Sequence, residues 1–305
     1  MPLDDIGWSL LQLLSKVSSK MFLEFRKIVE ENTPDPQTVY HYTNNTGLRG
    51  IIENNTLWAT HLSFVNDSRE IDYGLSLFKK KIEELEKQLQ ADEKSLAILK
   101  NLITLPISAT TVDTYACSFS RNGDQLSQWR GYTPNTIGYS IGFNDLLLST
   151  GSEFTWSMLP VLYSADKHEK FASTVINSYL DVYWANQEKF SSPENETLFV
   201  QNLLSQAEFW SVVLKHEGFS EEQEVRLAFK AFEGTKIKFR ERNGVIVPYV
   251  EFKMFDPSPR LPLKEVIIGP TDHYERAKAG LRLLLDKNGF DSVTIRQSDI
   301  PYRAQ

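Results

Sequence analysis

The segment Tyr40-His41-Tyr42-Thr43 brings an imidazole, a hydroxyl and two phenol rings together within four residues. In a β-strand, successive side chains point to opposite faces, so His41 and Thr43 share one face and the tyrosines the other. An imidazole beside a hydroxyl can hold the hydroxyl groups of a ribose, and Tyr42 offers a flat surface for an aromatic ring. We expect His41 and Thr43 to face a ligand, with the tyrosines packed beneath them. The same pattern also fits an ordinary strand whose histidine is satisfied within the protein.

A second segment, residues 219–229 (FSEEQEVRLAF), carries acidic chemistry. As a helix it would be capped by Ser220, and the residue pattern alone slightly favours this interpretation. As a strand it would align Glu222, Glu224 and Arg226 on one face. Only the strand has chemical content, because the arginine would keep a carboxylate ionised. Such a carboxylate can bind a ribose hydroxyl and stabilise a cationic sugar transition state. A solvated charged face is the alternative.

Three segments in the middle of the chain could form the walls of a cleft that binds a flat ligand: residues 117–120 (CSFS), 129–132 (WRGY) and 138–143 (GYSIGF). They combine a strand with a polar end, an aromatic loop and a strand with glycines that permit close backbone approach. The candidate ligand contacts among them are Ser118, Trp129 and Tyr139. A large indole at position 129 is also explained as a core anchor.

The acidic segment Asn66-Asp67-Ser68-Arg69-Glu70 has two interpretations. Asp67 followed three residues later by Glu70 is a helix-capping arrangement, which leaves Asn66 as a candidate ligand contact. Alternatively, Asp67 and Glu70 could converge with Glu222 and Glu224 on a magnesium ion, as in a nuclease.

Composition and missing motifs narrow the function classes. The chain contains no glycine-rich phosphate loop, no Cys/His cluster with zinc spacing and no GxSxG nucleophile motif. We therefore expect no resident metal. A net charge of −7 argues against a protein that coats duplex DNA. The basic stretch at residues 236–242 (KIKFRER) is the exception, and its alternating pattern favours a solvated strand face.

The chain is expected to be cytoplasmic. Its one cysteine, Cys117, cannot form an internal disulfide, and we treat it as structural. The first residues carry acids where a secretory signal needs bases, and no apolar run is long enough to span a bilayer. We expect no membrane partner.

Periodicity predicts an α+β fold in which short strands alternate irregularly with helices. Strands are expected at residues 38–42, 57–59, 114–118, 137–143, 224–230, 235–241, 245–253, 264–268 and 291–296. Helices are expected at residues 1–33, 46–54, 67–105, 168–216 with a break near position 192, and 273–287. The simplest organisation is one domain over residues 1–305, with an N-terminal helical extension (1–36) and two helical insertions (67–105 and 166–217).

The order of the segments resembles a known family. YHYT, LWAT, ND with Glu70, CSFS, QWRGY, GYSIGF, ExExR and SDIPYR follow one another as in the bacterial domain-of-unknown-function family 2971. That family is found scattered in prokaryotic genomes and near phage-defence genes. The resemblance covers residues 39–303.

The family in turn looks like the ADP-ribosyltransferases of the His-Tyr-Glu type, whose split β-sheet clasps NAD. This resemblance implies that His41 and Thr43 hold a ribose of NAD and that Glu224 is the catalytic acid of the Glu222-x-Glu224 motif. It implies a middle tyrosine that stacks on nicotinamide, for which Tyr139 is the choice and Tyr132 the rival.

The implied function is transfer of ADP-ribose from NAD, a substrate, to a macromolecule, which is a protein or a nucleic acid. The role would be that of a phage-defence effector or toxin, with a phage component or an antitoxin as a further partner. The alternatives are hydrolysis of NAD by water, a non-catalytic module that senses a nucleotide or phage component, and a metal-dependent nuclease.

Overall fold

The computed structural model describes residues 5–30, 38–65, 69–88, 114–132, 137–144, 157–190, 192–242, 244–253 and 260–301. Contacts divide the chain into two compact units. One comprises residues 1–34, 65–113 and 162–218, where the described elements are helices and 3₁₀ turns, and we call it the helical unit. The other comprises residues 35–64, 114–161 and 219–305 and contains the described β-sheet. The segments predicted as extension and insertions lie in the helical unit, while the domain boundaries themselves stay a prediction.

The described helices are α1 (Asp5–Glu30), α2 (Asn45–Asn54), α3 (Arg69–Gln88), α4 (Leu126–Tyr132), α5 (Ala165–Ala185), α6 (Pro193–Ser211) and α7 (Tyr274–Lys287). The described strands are β1 (Thr38–Asn44), β2 (Leu57–His61), β3 (Thr114–Ser120), β4 (Gly138–Asn144), β5 (Ser157–Pro160), β6 (Glu224–Lys230), β7 (Lys238–Arg242), β8 (Val245–Phe252), β9 (Leu263–Ile268) and β10 (Thr294–Gln297). Short 3₁₀ turns occupy Leu62–Phe64, Gln187–Phe190 and Glu217–Glu222.

Aromatic packing holds the helical unit together. The rings of Phe25, Phe171 and Trp210 lie 5.0–5.3 Å apart, with their edges directed at one another's faces or tilted. The predicted helix break near position 192 is confirmed, because the Ser192 hydroxyl accepts from the Asn195 amide and caps α6. No helix among the described residues is long and apolar enough to cross a membrane.

The sheet is open and mostly antiparallel, so the predicted α+β class is confirmed. Its strand order is β10-β9-β4-β1-β3-β2-β8-β7, with β6 pairing to both β3 and β5. Only the β9–β10 pair is parallel among the described ladders. Helices α2 and α7 cover one face, where Leu48, Ile52 and Leu285 join a core with strand residues such as Val39 and Ile141.

The ladder of β3 leaves an opening in this sheet. Strand β6 pairs along the whole of β3, from Thr114↔Lys230 to Ser120↔Glu224. The other edge of β3 is shared, since β1 meets it at Tyr40↔Ser120 and β2 meets it at residues 115 and 116. No other described strand residue pairs with the edge between these points, residues 117–119. We call this gap the sheet opening.

The slight preference of the pattern for a helix over residues 219–229 is wrong. The segment forms a 3₁₀ turn up to Glu222 and then strand β6, whose residues are buried except for the half-buried Lys230. Two neighbouring strands hold it, and the hydrogen bonds of two ladders outweigh a weak local propensity for helix.

Candidate functional site

A small pocket lies beside the sheet opening, where three of the chemically interesting segments come into register. Tyr40 of β1, Ser120 of β3 and Glu224 of β6 form one row across the sheet. The pocket encloses about 260 Å³, counting the solvent space at its mouth. Its lining residues are Tyr40, Tyr42, Ser118, Phe119, Ser120, Gln128, Tyr132, Glu222 and Glu224. Because this volume includes open solvent, the pocket is a shallow recess against which one ring or one sugar could rest, rather than a cavity that encloses a dinucleotide.

Glu224 is buried in a bidentate ion pair with Arg226. The Arg226 Nε donates to Glu224 Oε1 at 2.7 Å, and its Nη2 donates to Oε2 at 2.8 Å. Both side chains are at least nine-tenths buried. An adjacent guanidinium favours the charged form of a carboxyl group, so Glu224 presents a fixed negative charge at the pocket.

A strained turn sets the direction of the two glutamates. Gln223, between them, has φ 46°, in the left-handed region that non-glycine residues rarely adopt. The turn is held from outside: the Ser120 hydroxyl donates to the Glu222 carbonyl at 2.8 Å, and the Arg121 amide donates to the Gln223 carbonyl at 3.0 Å. The Gln125 side-chain amide donates to a third carbonyl of the turn. Such strain persists only where surrounding contacts fix it, as these do.

Both tyrosines of β1 present their rings to the pocket while their hydroxyls are engaged within the protein. The Tyr42 hydroxyl donates to the Asn122 carbonyl at 2.8 Å and accepts from the Gln125 amide. The Tyr40 hydroxyl donates to Glu265 at 2.8 Å. Burial, followed by this hydrogen bond, raises the pKa of Tyr40 to about 12, and burial also raises the pKa of Tyr42. Both hydroxyls are therefore neutral, and the tyrosines offer their rings as surfaces.

The Glu265 carboxylate fixes Tyr40 from behind. Arg296 donates to it at 2.6 Å on the oxygen that Tyr40 leaves free. Burial alone would raise the pKa of Glu265, but the bonds from Arg296 and Tyr40 hold it below its usual range.

Trp129 is a core anchor, one of its two predicted interpretations. Its ring is 2% exposed and meets Tyr42 edge-on at 4.7 Å. Its Nε1 donates to Asp124 at 2.7 Å, and Asp124 also accepts from the Ser298 hydroxyl at 2.6 Å. The indole therefore supports the pocket through Tyr42 and does not line it.

His41 lies in the sheet opening, on the face opposite to the pocket tyrosines. Its Nδ1 donates to the Ser118 carbonyl at 2.9 Å and lies 3.8 Å from the Cys117 sulfur. The bond supplies a partner to a carbonyl on the edge that no strand pairs with. Burial lowers the pKa of His41, so the ring is neutral at pH 7.

The faces of β1 are thus the reverse of the expected ones at this pocket. Thr43 pairs with Tyr139, and both belong to the face of His41, which packs on the core beneath α2 and α7. The position of Val39 explains this. Val39 is a core residue, and side chains two positions apart in a strand lie on the same face, so residues 41 and 43 also face the core.

Of the predicted contacts, the pocket contains Tyr42, Ser118, Glu222 and Glu224, with Arg226 directly behind Glu224. Asn66 and Asp67 lie outside the described residues, as does the side chain of Glu70. Within the described part of the chain, no group of three His, Cys, Asp or Glu side chains could hold a metal ion.

Tyr132, the rival choice for the middle tyrosine, lines the pocket, and four lining residues were missed from the sequence: Tyr40, Ser120, Phe119 and Gln128. The first two lie two positions from the predicted contacts Tyr42 and Ser118, so the strand period could have found them. Gln128 carries no such signal, because α4 reaches the pocket by tertiary packing.

Comparison with known proteins adds one finding. A family model described as a protein of unknown function, DUF2971, matches residues 128–227, about a third of the chain. This range includes β4, the first half of β6 and the Glu222-x-Glu224 pair. No curated protein and no solved structure matches the chain. The match supports the resemblance to this family of unknown function over that third of the chain.

Proposed function

We propose that the chain is an NAD-dependent ADP-ribosyltransferase in which Glu224 stabilises the transition state. One observation carries the proposal: a buried carboxylate, kept ionised by Arg226, borders a pocket lined by two tyrosine rings beside an opening in the sheet. The ring surfaces suit nicotinamide, and the carboxylate suits the adjoining ribose.

The chemistry is cleavage of the bond between the nicotinamide nitrogen and the ribose C1. Nicotinamide leaves with the bonding electrons, and positive charge develops on the sugar. Glu224 offsets that charge from a fixed position, which costs no reorganisation during the reaction. A nucleophilic oxygen or nitrogen of the acceptor then bonds to C1 and gives its proton to a base, for which Glu222, the second carboxylate that lines the pocket, is the candidate.

The proposal differs from the His-Tyr-Glu arrangement at its first residue. His41 holds the free edge of β3 on the far face, so it acts as a positioning residue. Tyr40 and Tyr42 take the ligand-facing places on β1. A macromolecular acceptor and a role in phage defence or as a toxin follow from the family resemblance.

The test is release of nicotinamide and transfer of label from adenylate-labelled NAD to macromolecules in a cell lysate. Glu224→Gln keeps the shape but removes the charge, and we expect a rate at least ~100-fold below the wild type. Glu221→Gln is the matched control, since that side chain is exposed three residues away. If the wild type gives neither product, or if both variants behave alike, the proposal is wrong.

A non-catalytic nucleotide-binding module is the second candidate. It is favoured by the ion pair itself, since both carboxylate oxygens of Glu224 already accept from Arg226. Binding of NAD that survives Glu224→Gln, without turnover by the wild type, would select it. Free ADP-ribose without a labelled macromolecule would instead identify hydrolysis.

A further inference from the structure

Arg240, within the basic stretch of β7, is not the solvated side chain that its pattern suggested. Its guanidinium lies over two aromatic rings, 5.2 Å from the centroid of Trp58 and 5.6 Å from that of Tyr249. Its Nη2 donates to the Thr60 hydroxyl at 2.7 Å. We call these four residues the arginine cluster.

The charge of Arg240 is uncompensated among the residues that the structure describes. The nearest acid on the neighbouring strand, Glu251, is already paired with Lys238 at 2.8 Å. The Nε of Arg240 is buried and has no hydrogen-bond partner. The charged or titratable groups that act on it are Arg242, which repels it, and His41, Cys117 and Tyr249. Burial is the largest cause of a lowered pKa of the guanidinium.

A guanidinium that is removed from water and has an N–H group without an acceptor lowers the stability of the folded protein. Its fixed fork of N–H groups matches two oxygens of a phosphoryl group, and such paired contacts are strong because both partners are charged. The aromatic rings hold the fork in place through cation–π contact. The cluster is therefore organised before any anion arrives.

The arginine cluster and the pocket lie on the same face of the sheet. Thr60 pairs with Ala116 of β3, and Ser118, which lines the pocket, is two residues further along that strand. Two residues of a strand span about 7 Å and return to the same face. A nucleotide whose ring or sugar rests against the pocket would thus direct its phosphates towards Arg240.

We propose that Arg240, with Thr60 and the flanking rings of Trp58 and Tyr249, binds a phosphoryl group of the nucleotide substrate. This subsite rests on the proposed function for its place in a reaction, but its anion binding can be measured separately.

Calorimetry with ADP, pyrophosphate and adenosine tests the subsite. We expect ADP to bind and Arg240→Gln to weaken its binding by roughly 10- to 100-fold, the effect of losing hydrogen bonds to a charged group.

Adenosine, which has no phosphate, should bind equally to both proteins. Lys236→Gln is the matched control, because it removes an exposed positive charge from the same basic stretch. Arg240→Lys keeps the charge and loses the fork, so its affinity should fall between the two.

If ADP binds more strongly than pyrophosphate, the ligand of the subsite is a nucleotide. If the two bind equally, the ligand is free phosphate. Loss of ADP binding in Arg240→Gln without any cleavage of NAD by the wild type would retain the subsite and reject the transferase. Cleavage of NAD with the same KM, and equal ADP affinity, in Arg240→Gln and Lys236→Gln would overturn the subsite alone. Melting curves check that each variant is folded.

Discussion

At the scale of single residues, neighbouring positions of the Tyr40-His41-Tyr42 motif have different roles. Tyr40 and Tyr42 border the pocket, whereas His41 between them turns away and completes the hydrogen bonding of an unpaired strand edge. A buried carbonyl without a partner costs about 1–3 kcal/mol, so this role alone explains a histidine or another donor at position 41.

The buried imidazole makes a prediction about pH. The pKa of His41 is lowered below its unfolded value of 6.5, chiefly by burial. Its contribution to stability is therefore complete above pH 6.5 and is lost as the pH falls through the folded pKa. We expect His41→Gln, whose amide can still donate to the Ser118 carbonyl, to lose less stability than the wild type between pH 7 and about 5.

Urea unfolding at the two pH values measures the difference. His168, whose pKa is also lowered, is present in both proteins and cancels. Equal losses in the two proteins would show that His41 is not the titrating group.

At the scale of elements, the start of β6 decides where the carboxylates point. The turn before it combines a left-handed Gln223 with carbonyls that residues 120, 121 and 125 hold from the other side. The strand that follows is buried in two ladders, so its first residue cannot relax towards solvent.

Gln223 can be used to measure the strain in this turn. Gln223→Gly removes a Cβ that disfavours positive φ, and we expect a stability equal to the wild type or up to about 1 kcal/mol higher, after the entropy cost of glycine. Gln223→Val should destabilise by roughly 1–3 kcal/mol, because a β-branched side chain adopts that region least easily. Chemical denaturation compares the three proteins. A valine variant as stable as the glycine variant would contradict the backbone argument.

At the scale of the whole molecule, the β-sheet unit has a continuous apolar core on the face of the sheet opposite to the pocket tyrosines. Cys117, the single cysteine, lies in that core, and burial raises the pKa of its thiol to about 12. A thiol that is buried and protonated is a poor nucleophile, which supports its structural assignment.

This burial predicts slow labelling. With a thiol reagent at pH 7 to 8, Cys117 should react at least ~100-fold more slowly in the native chain than in urea, because reaction must wait for the unit to open. A Cys117→Ala, Ser63→Cys variant is the control, since position 63 is exposed and should react at once. Rapid labelling of the native wild type would mean that the β-sheet unit opens far more readily than its core packing implies.

The sequence by itself determined most of the elements. The period of apolar residues and the flanking caps located β1, α2 and β2, and the predicted end of α2 is confirmed by Asn55 at φ 52°. These features are local: a helix or strand of a few residues is specified by its own spacing, capping and turn residues. The sequence also indicated the segments that line the pocket, because they combine aromatic, hydroxyl and acidic residues.

Only the tertiary structure decided how those segments face one another. The phase of β1, the strand state of residues 224–230, the row Tyr40–Ser120–Glu224 and the burial of Arg240 against Trp58 all depend on ladders between distant parts of the chain. Shifting a strand by one residue moves every side chain to the opposite face of the sheet. The local residue pattern hardly distinguishes the two arrangements when both faces carry aromatic residues. For this reason the sequence indicated Glu224 as a pocket residue, but it assigned the pocket-facing side of β1 to His41 instead of to the tyrosines on either side of it.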